Sequence, residues 1–121
     1  MLGFKLFGSG LPGLTVQALC QDVNASVTAA GTNQSTATEL TNAVNYITTV
    51  AAGTGVVLYS GLTAGDSQLI YNAGANPLLI YPFSGAQING IGTNAGITLP
   101  IATAIELTCI SSTQLIGILS A

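Results

Sequence analysis

Apolar residues in this chain fall in short clusters separated by Gly, Asn, Thr and Ser, and they hold a helical spacing nowhere for long. Residues 44–50, a β-branched run carrying Tyr46 and Ile47, predict a strand. So do residues 56–59, 69–71, 78–83, 97–99, 104–110 and 114–119, each bounded by turn-forming residues. An earlier strand is expected near residues 26–30, and residues 35–40 alternate Thr36, Thr38 and Leu40 against Ala37 and Glu39. A helix over residues 39–46 competes there, because Glu39, Leu40, Ala43 and Val44 fit one helical face, but the Thr content argues against it. Turns are expected at residues 32–34, 51–55, 63–66, 84–85, 92–96 and 111–113.

The most informative stretch is residues 66–90. Two apolar, aromatic-tipped runs flank Asn72-Ala73-Gly74-Ala75-Asn76-Pro77, residues that tolerate positive φ or fix φ, which predicts a β-hairpin. Both runs are apolar at neighbouring positions, so both faces of that hairpin are expected to be covered, one by the core and one by something else. Short strands at intervals of roughly 8 to 12 residues predict an all-β fold, a compact antiparallel β-sandwich or jelly-roll-like barrel. This domain is expected over residues 26–121, preceded by an extended arm over residues 1–25. A repeat solenoid is the alternative, but no fixed period of Thr or Gly supports it.

Charge is the scarcest feature of the chain. Only 4% of the 121 residues are charged, against about 25% in ordinary globular proteins. Lys5 is the single cation, facing Asp22, Glu39, Asp66 and Glu106. One cation cannot build a phosphate-binding surface, which argues against nucleic acid as a partner. The hydrophobic share of 49% would suit a membrane protein, yet the runs break well before the ~18 residues of a spanning helix. So little charge beside so much Thr, Ser and Asn reads as a subunit of an assembly.

Candidate chemistry is sparse. Without His, no Ser-His-Asp or Cys-His arrangement is possible, and Cys20 and Cys109 alone cannot complete a zinc shell. Those two cysteines read either as a disulfide or as two buried thiols. A carboxylate pair for glycoside hydrolysis is conceivable, but the four acids are scattered, no Trp is present to stack a sugar, and Asp66 reads as a turn residue. The reading is therefore of a chain that is no enzyme and holds no cofactor or metal. Tyr59, Tyr71, Tyr81 and Phe83 serve either as core or as contact surface. Tyr81 and Phe83 are expected to share a strand face opposite Ile80 and Pro82. With Tyr71 and Leu79 they make the expected subunit interface, and the sparse charge points to self-association.

Residues 1–13 carry Gly3, Gly8, Gly10 and Gly13 beside Leu2, Phe4, Leu6 and Phe7: too many glycines for a helix, too apolar for a free tail. The stretch only faintly matches a cleaved signal. It reads as an arm lying on another surface, or folded back along its own domain.

The series Thr49-Val50-Ala51-Ala52-Gly53-Thr54-Gly55-Val56, then residues 72–76, then Tyr81-Pro82 with Gly85 and Ile88-Asn89-Gly90, resembles small β-rich virion proteins of tailed bacteriophages. The resemblance covers about residues 29–121. It implies a homotrimeric capsid decoration (cement) or head-fibre protein, assembled in the host cytoplasm and bound to the major capsid protein on the outer surface of the head. In that setting Leu2, Phe4, Lys5, Leu6 and Phe7 are the expected capsid attachment. A receptor- or glycan-binding fibre or adhesin module is the other reading.

Overall fold

The computed structural model describes residues 22–120, and within them every regular element is a strand. In chain order these are β1 (Val23–Thr28), β2 (Thr38–Glu39), β3 (Val44–Thr49), β4 (Gly55–Val57), β5 (Ser67–Asn72), β6 (Leu78–Tyr81), β7 (Gln87–Ile88), β8 (Ile97–Leu99), β9 (Ala104–Ser111) and β10 (Gln114–Leu119). The all-β expectation holds, and residues 39–46 are not helical. β1 begins three residues before the expected start of the domain at 26.

From β1 to β9 the strands alternate between two sheets, and β10 stays in the sheet of β9. One has the order β1-β3-β5-β9-β10-β7 and the other β2-β4-β6-β8. β1, β3 and β5 run parallel, as do β2, β4 and β6. Each of the pairs β1–β2, β3–β4 and β5–β6 is thus one coil, and these three coils stack as in a solenoid. The antiparallel sandwich expected from the turn spacing is therefore corrected: only β5–β9, β9–β10 and β6–β8 are antiparallel. No fixed period marks a solenoid in the sequence, and the registers explain why. Val23↔Val44↔Leu69 advances by 21 and then 25 residues, while Thr38↔Val56↔Ile80 advances by 18 and then 24. Loops of unequal length hide the repeat.

The hairpin expected between residues 69–71 and 78–83 is also corrected. β5 and β6 belong to different sheets, so Asn72–Pro77 turns a corner instead of reversing the chain within one sheet. Asn72, fully buried, builds that corner with its side-chain amide: Nδ2 donates to the carbonyls of Asn76 (2.9 Å) and Leu99 (3.1 Å), and Oδ1 accepts from the Gly74 amide (3.0 Å). Asn76 Nδ2 donates to Val50 O at 2.9 Å, joining this corner to the one below. Gly74 is required because a Cβ there would stand 2.6 Å from Val50 Cγ2.

The core lies between the sheets, with Val27, Ile47, Ile70 and Leu107 from one and Val56, Leu78, Ile80 and Leu99 from the other. β5 and β6 bury alternate residues rather than both faces. Full burial of each aliphatic side chain contributes roughly 1.5–3 kcal/mol. The last two described strands form a true hairpin, β9–β10 across residues 112–113, with Gly117 leaving room for Leu107 and Ile105.

Candidate functional site: an exposed apolar sheet face

Strand alternation sends every second residue of the six-stranded sheet outward. In β1, β3 and β5 those residues include Val23, Val44, Tyr46, Leu69 and Tyr71, and in β9 and β10 they include Glu106, Thr108, Ile116 and Ile118. Pairing then lines them up across strands: Val23↔Val44↔Leu69↔Glu106↔Ile118 is one continuous row. A second row is Tyr46↔Tyr71↔Ala104, and a third is Ser67↔Thr108↔Ile116.

Val23 (48%), Val44 (36%), Tyr46 (45%), Leu69 (39%), Ile116 (45%) and Ile118 (67%) keep large fractions of their surface in water. Single exposed apolar side chains are ordinary, but a contiguous face of them is not. Tyr46 and Tyr71 lie 5.4 Å apart between ring centroids with an interplanar angle of 16°, a stack that flattens this part of the face. A shallow depression of about 190 Å³ opens beside Leu69, Ala104, Glu106 and Ile118. Glu106 is the one acid in these rows, set between Leu69 and Ile118. It makes no side-chain hydrogen bond among the described residues, none of which is Lys, Arg or His.

A second, polar cleft of about 220 Å³ is lined by Asp22, Asn42, Tyr59, Asp66 and Gln68, among others. Apart from the exposed Tyr59 hydroxyl, its named side chains are already engaged. Asp22 accepts from Asn42 Nδ2 (2.7 Å) and the Ala43 amide (3.1 Å). Asp66 accepts from the amide and hydroxyl of Thr63, as a turn residue should. Buried Gln68 donates to Leu40 O and Asn42 O and accepts from the Tyr59 amide. These bonds fix loops, leaving little to act on a ligand. Among the described residues no group of three His, Cys, Asp or Glu is placed to hold a metal ion. Cys109 is buried and donates to Ser111 O, whereas Cys20 lies outside the described residues.

The four residues expected at a subunit interface do not share a surface. Tyr71 is on the apolar face just described, whereas Leu79 and Tyr81 are on the outside of the four-stranded sheet. Phe83 is buried in the core, so it does not share the outward face of Tyr81. Tyr81 lies over Gly55 and Gly96, within 3.0 Å of where a Cβ would stand on either, and donates to Thr32 O at 3.2 Å. Leu2, Phe4, Lys5, Leu6 and Phe7 lie outside the described residues. Sequence reasoning missed Val44, Tyr46, Glu106, Ile116 and Ile118 as a surface. The available signal was the alternation Val44-x-Tyr46 and Ile116-x-Ile118; the register that unites them across 25-residue steps was not available. No family model matches this chain, and no curated protein or solved structure does.

Proposed function

We propose that this chain is a structural virion protein, a capsid decoration (cement) protein that trimerises on the outer surface of a phage head and stabilises capsomer junctions. The observation that carries the reading is the apolar face of the six-stranded sheet, on a chain with almost no charge. Such a face is stable in water when another surface covers it, which favours an assembled subunit over a free monomer. A bound decoration subunit stabilises the shell by mass action, and a trimer touching several major capsid protein copies gains by multivalency. Non-enzymatic function is supported by the absence of His and by the prior engagement of the polar groups in the cleft at Tyr59.

The alternative reading, a receptor- or glycan-binding fibre module, draws on that same cleft, where Tyr59 is 41% exposed beside two carboxylates. Quantitative electrophoresis of purified virions separates the two. The decoration reading expects many copies in a fixed ratio to the major capsid protein, and shells lacking the protein should open at lower temperature. A handful of copies per particle, with unchanged shell stability, sinks it in favour of the fibre.

A further inference from the structure

We infer that the outer face of the six-stranded sheet is the seat for residues 1–21 of a neighbouring copy, with that copy's Lys5 over Glu106. The inference rests on the trimer reading above and names the contact that makes the trimer, giving Leu2, Phe4, Lys5, Leu6 and Phe7 to a neighbouring copy instead of to the capsid. Charge carries the first step. Glu106 stands inside the row Val23↔Val44↔Leu69↔Glu106↔Ile118, so whatever covers the row also takes a carboxylate out of water. A carboxylate that stays ionised away from water needs a counter-charge. In an assembly of identical chains only one side chain can supply it, because Lys5 is the sole Lys or Arg.

Symmetry carries the second step. Pairing this face with its own copy is isologous, closes as a dimer and buries two Glu106 carboxylates with no cation between the two faces. A closed trimer needs a heterologous contact between two different surfaces. The segment holding Lys5 is the surface complementary in charge, and Leu2, Phe4, Leu6 and Phe7 around it match the Leu69, Tyr71, Ile116 and Ile118 around Glu106. The depression beside Leu69 and Ile118 admits one of those side chains. A segment seated on its own chain's face would instead cover the surface and leave no contact for assembly.

Reach carries the third. Asp22, the first described residue, leads into β1 at the edge of the sheet, and Val23 is in the same row as Glu106. Residues 6–22 lie between Lys5 and Val23, and an extended chain of that length spans roughly 60 Å. Six strands are only about 24 Å wide, so the segment is long enough to reach past its own sheet onto a neighbour's.

Zero-length carbodiimide coupling of the full chain tests this, because Lys5 is the only side-chain amine and the side-chain carboxylates are four. We expect a Lys5–Glu106 isopeptide in dimer and trimer bands, joining isotope-labelled to unlabelled copies, and absent in Glu106→Gln. Lys5→Glu should disperse the trimer and Glu106→Lys in the same chain should restore it. A Lys5–Glu106 link confined to the monomer band overturns the inference, as does coupling of Lys5 to Asp22, Glu39 or Asp66 alone, or none. Light scattering on the unmodified protein keeps the two ideas apart. A trimer without the link sinks only this inference, and a monomer sinks the trimer reading with it.

Discussion

On the outside of the four-stranded sheet, Tyr81 lies across Gly55 and Gly96 and donates its hydroxyl to Thr32, whereas on the outside of the six-stranded sheet Tyr46 and Tyr71 stack on each other. One tyrosine is committed to holding its own chain together. The other two are held by little beyond their mutual contact, and Tyr46 remains 45% exposed. The difference comes from what stands beside each ring. Glycines on β4 and before β8 leave a trough into which Tyr81 sinks, while β3 and β5 offer side chains at every outward position. An outward strand residue thus belongs to the fold or to the surface according to its neighbours, not its type.

Crowding the trough beneath Tyr81 should give the largest effect. Gly55→Ala drives a Cβ to 2.6 Å from Leu79 O and 3.0 Å from the Tyr81 ring, so β4 and β6 must part. A loss of about 3 kcal/mol in chemical denaturation is expected; a change near zero would mean that the trough is not tightly filled. Tyr81→Ala follows, at about 2 kcal/mol, from its partly buried ring and the bond to Thr32. Unfolding of that variant should therefore shift even at dilution low enough to separate copies.

On the other face the order of effects reverses. Tyr46→Thr keeps a strand-forming residue and removes only the stack, so isolated-chain stability should fall by about 1 kcal/mol. Self-association in analytical ultracentrifugation should weaken far more than it does in Tyr81→Ala variants that remain folded. Equal weakening in both would erase the distinction between the faces. The smallest effect belongs to Asp66→Ala, which frees the Thr63 amide at an exposed turn and should cost about 0.5–1 kcal/mol with assembly unchanged.

Local chemistry was readable in the sequence; partnership between distant segments was not. β3, β8, β9 and β10 stand within about a residue of their expected places, because β-branched runs bounded by turn residues carry their own signal. Asn72–Pro77 was read correctly as a turn and wrongly as a hairpin. Asn, Gly and Pro report that the backbone bends, and nothing in them tells whether the next strand rejoins its own sheet or crosses to the facing one. Here the answer lay in the inward-facing amides of Asn72 and Asn76, whose acceptors at Leu99 and Val50 are distant in sequence. The candidate site suffered the same limit. Tyr71 was singled out, but Tyr46, 25 positions earlier, becomes its neighbour only through parallel pairing, and Glu106 becomes the acid of an apolar row only once β9 lies beside β5.

Unequal coils have an evolutionary consequence. In a stack where each layer mainly meets its neighbours, chain length is a modular quantity, and a tandem duplication adds a storey without redesigning those already present. Residues 44–68 are such a unit, since Val44 pairs with Leu69 and a repeated copy would present its own Val44 in that same place. The duplicated chain would gain one strand in each sheet, one more copy of the buried Asn45 and one more tyrosine in the stack. Its outward surface would widen by one strand spacing, about 4.8 Å, giving lineages of such proteins a discrete way to adjust footprint while leaving the terminal β9–β10 hairpin untouched.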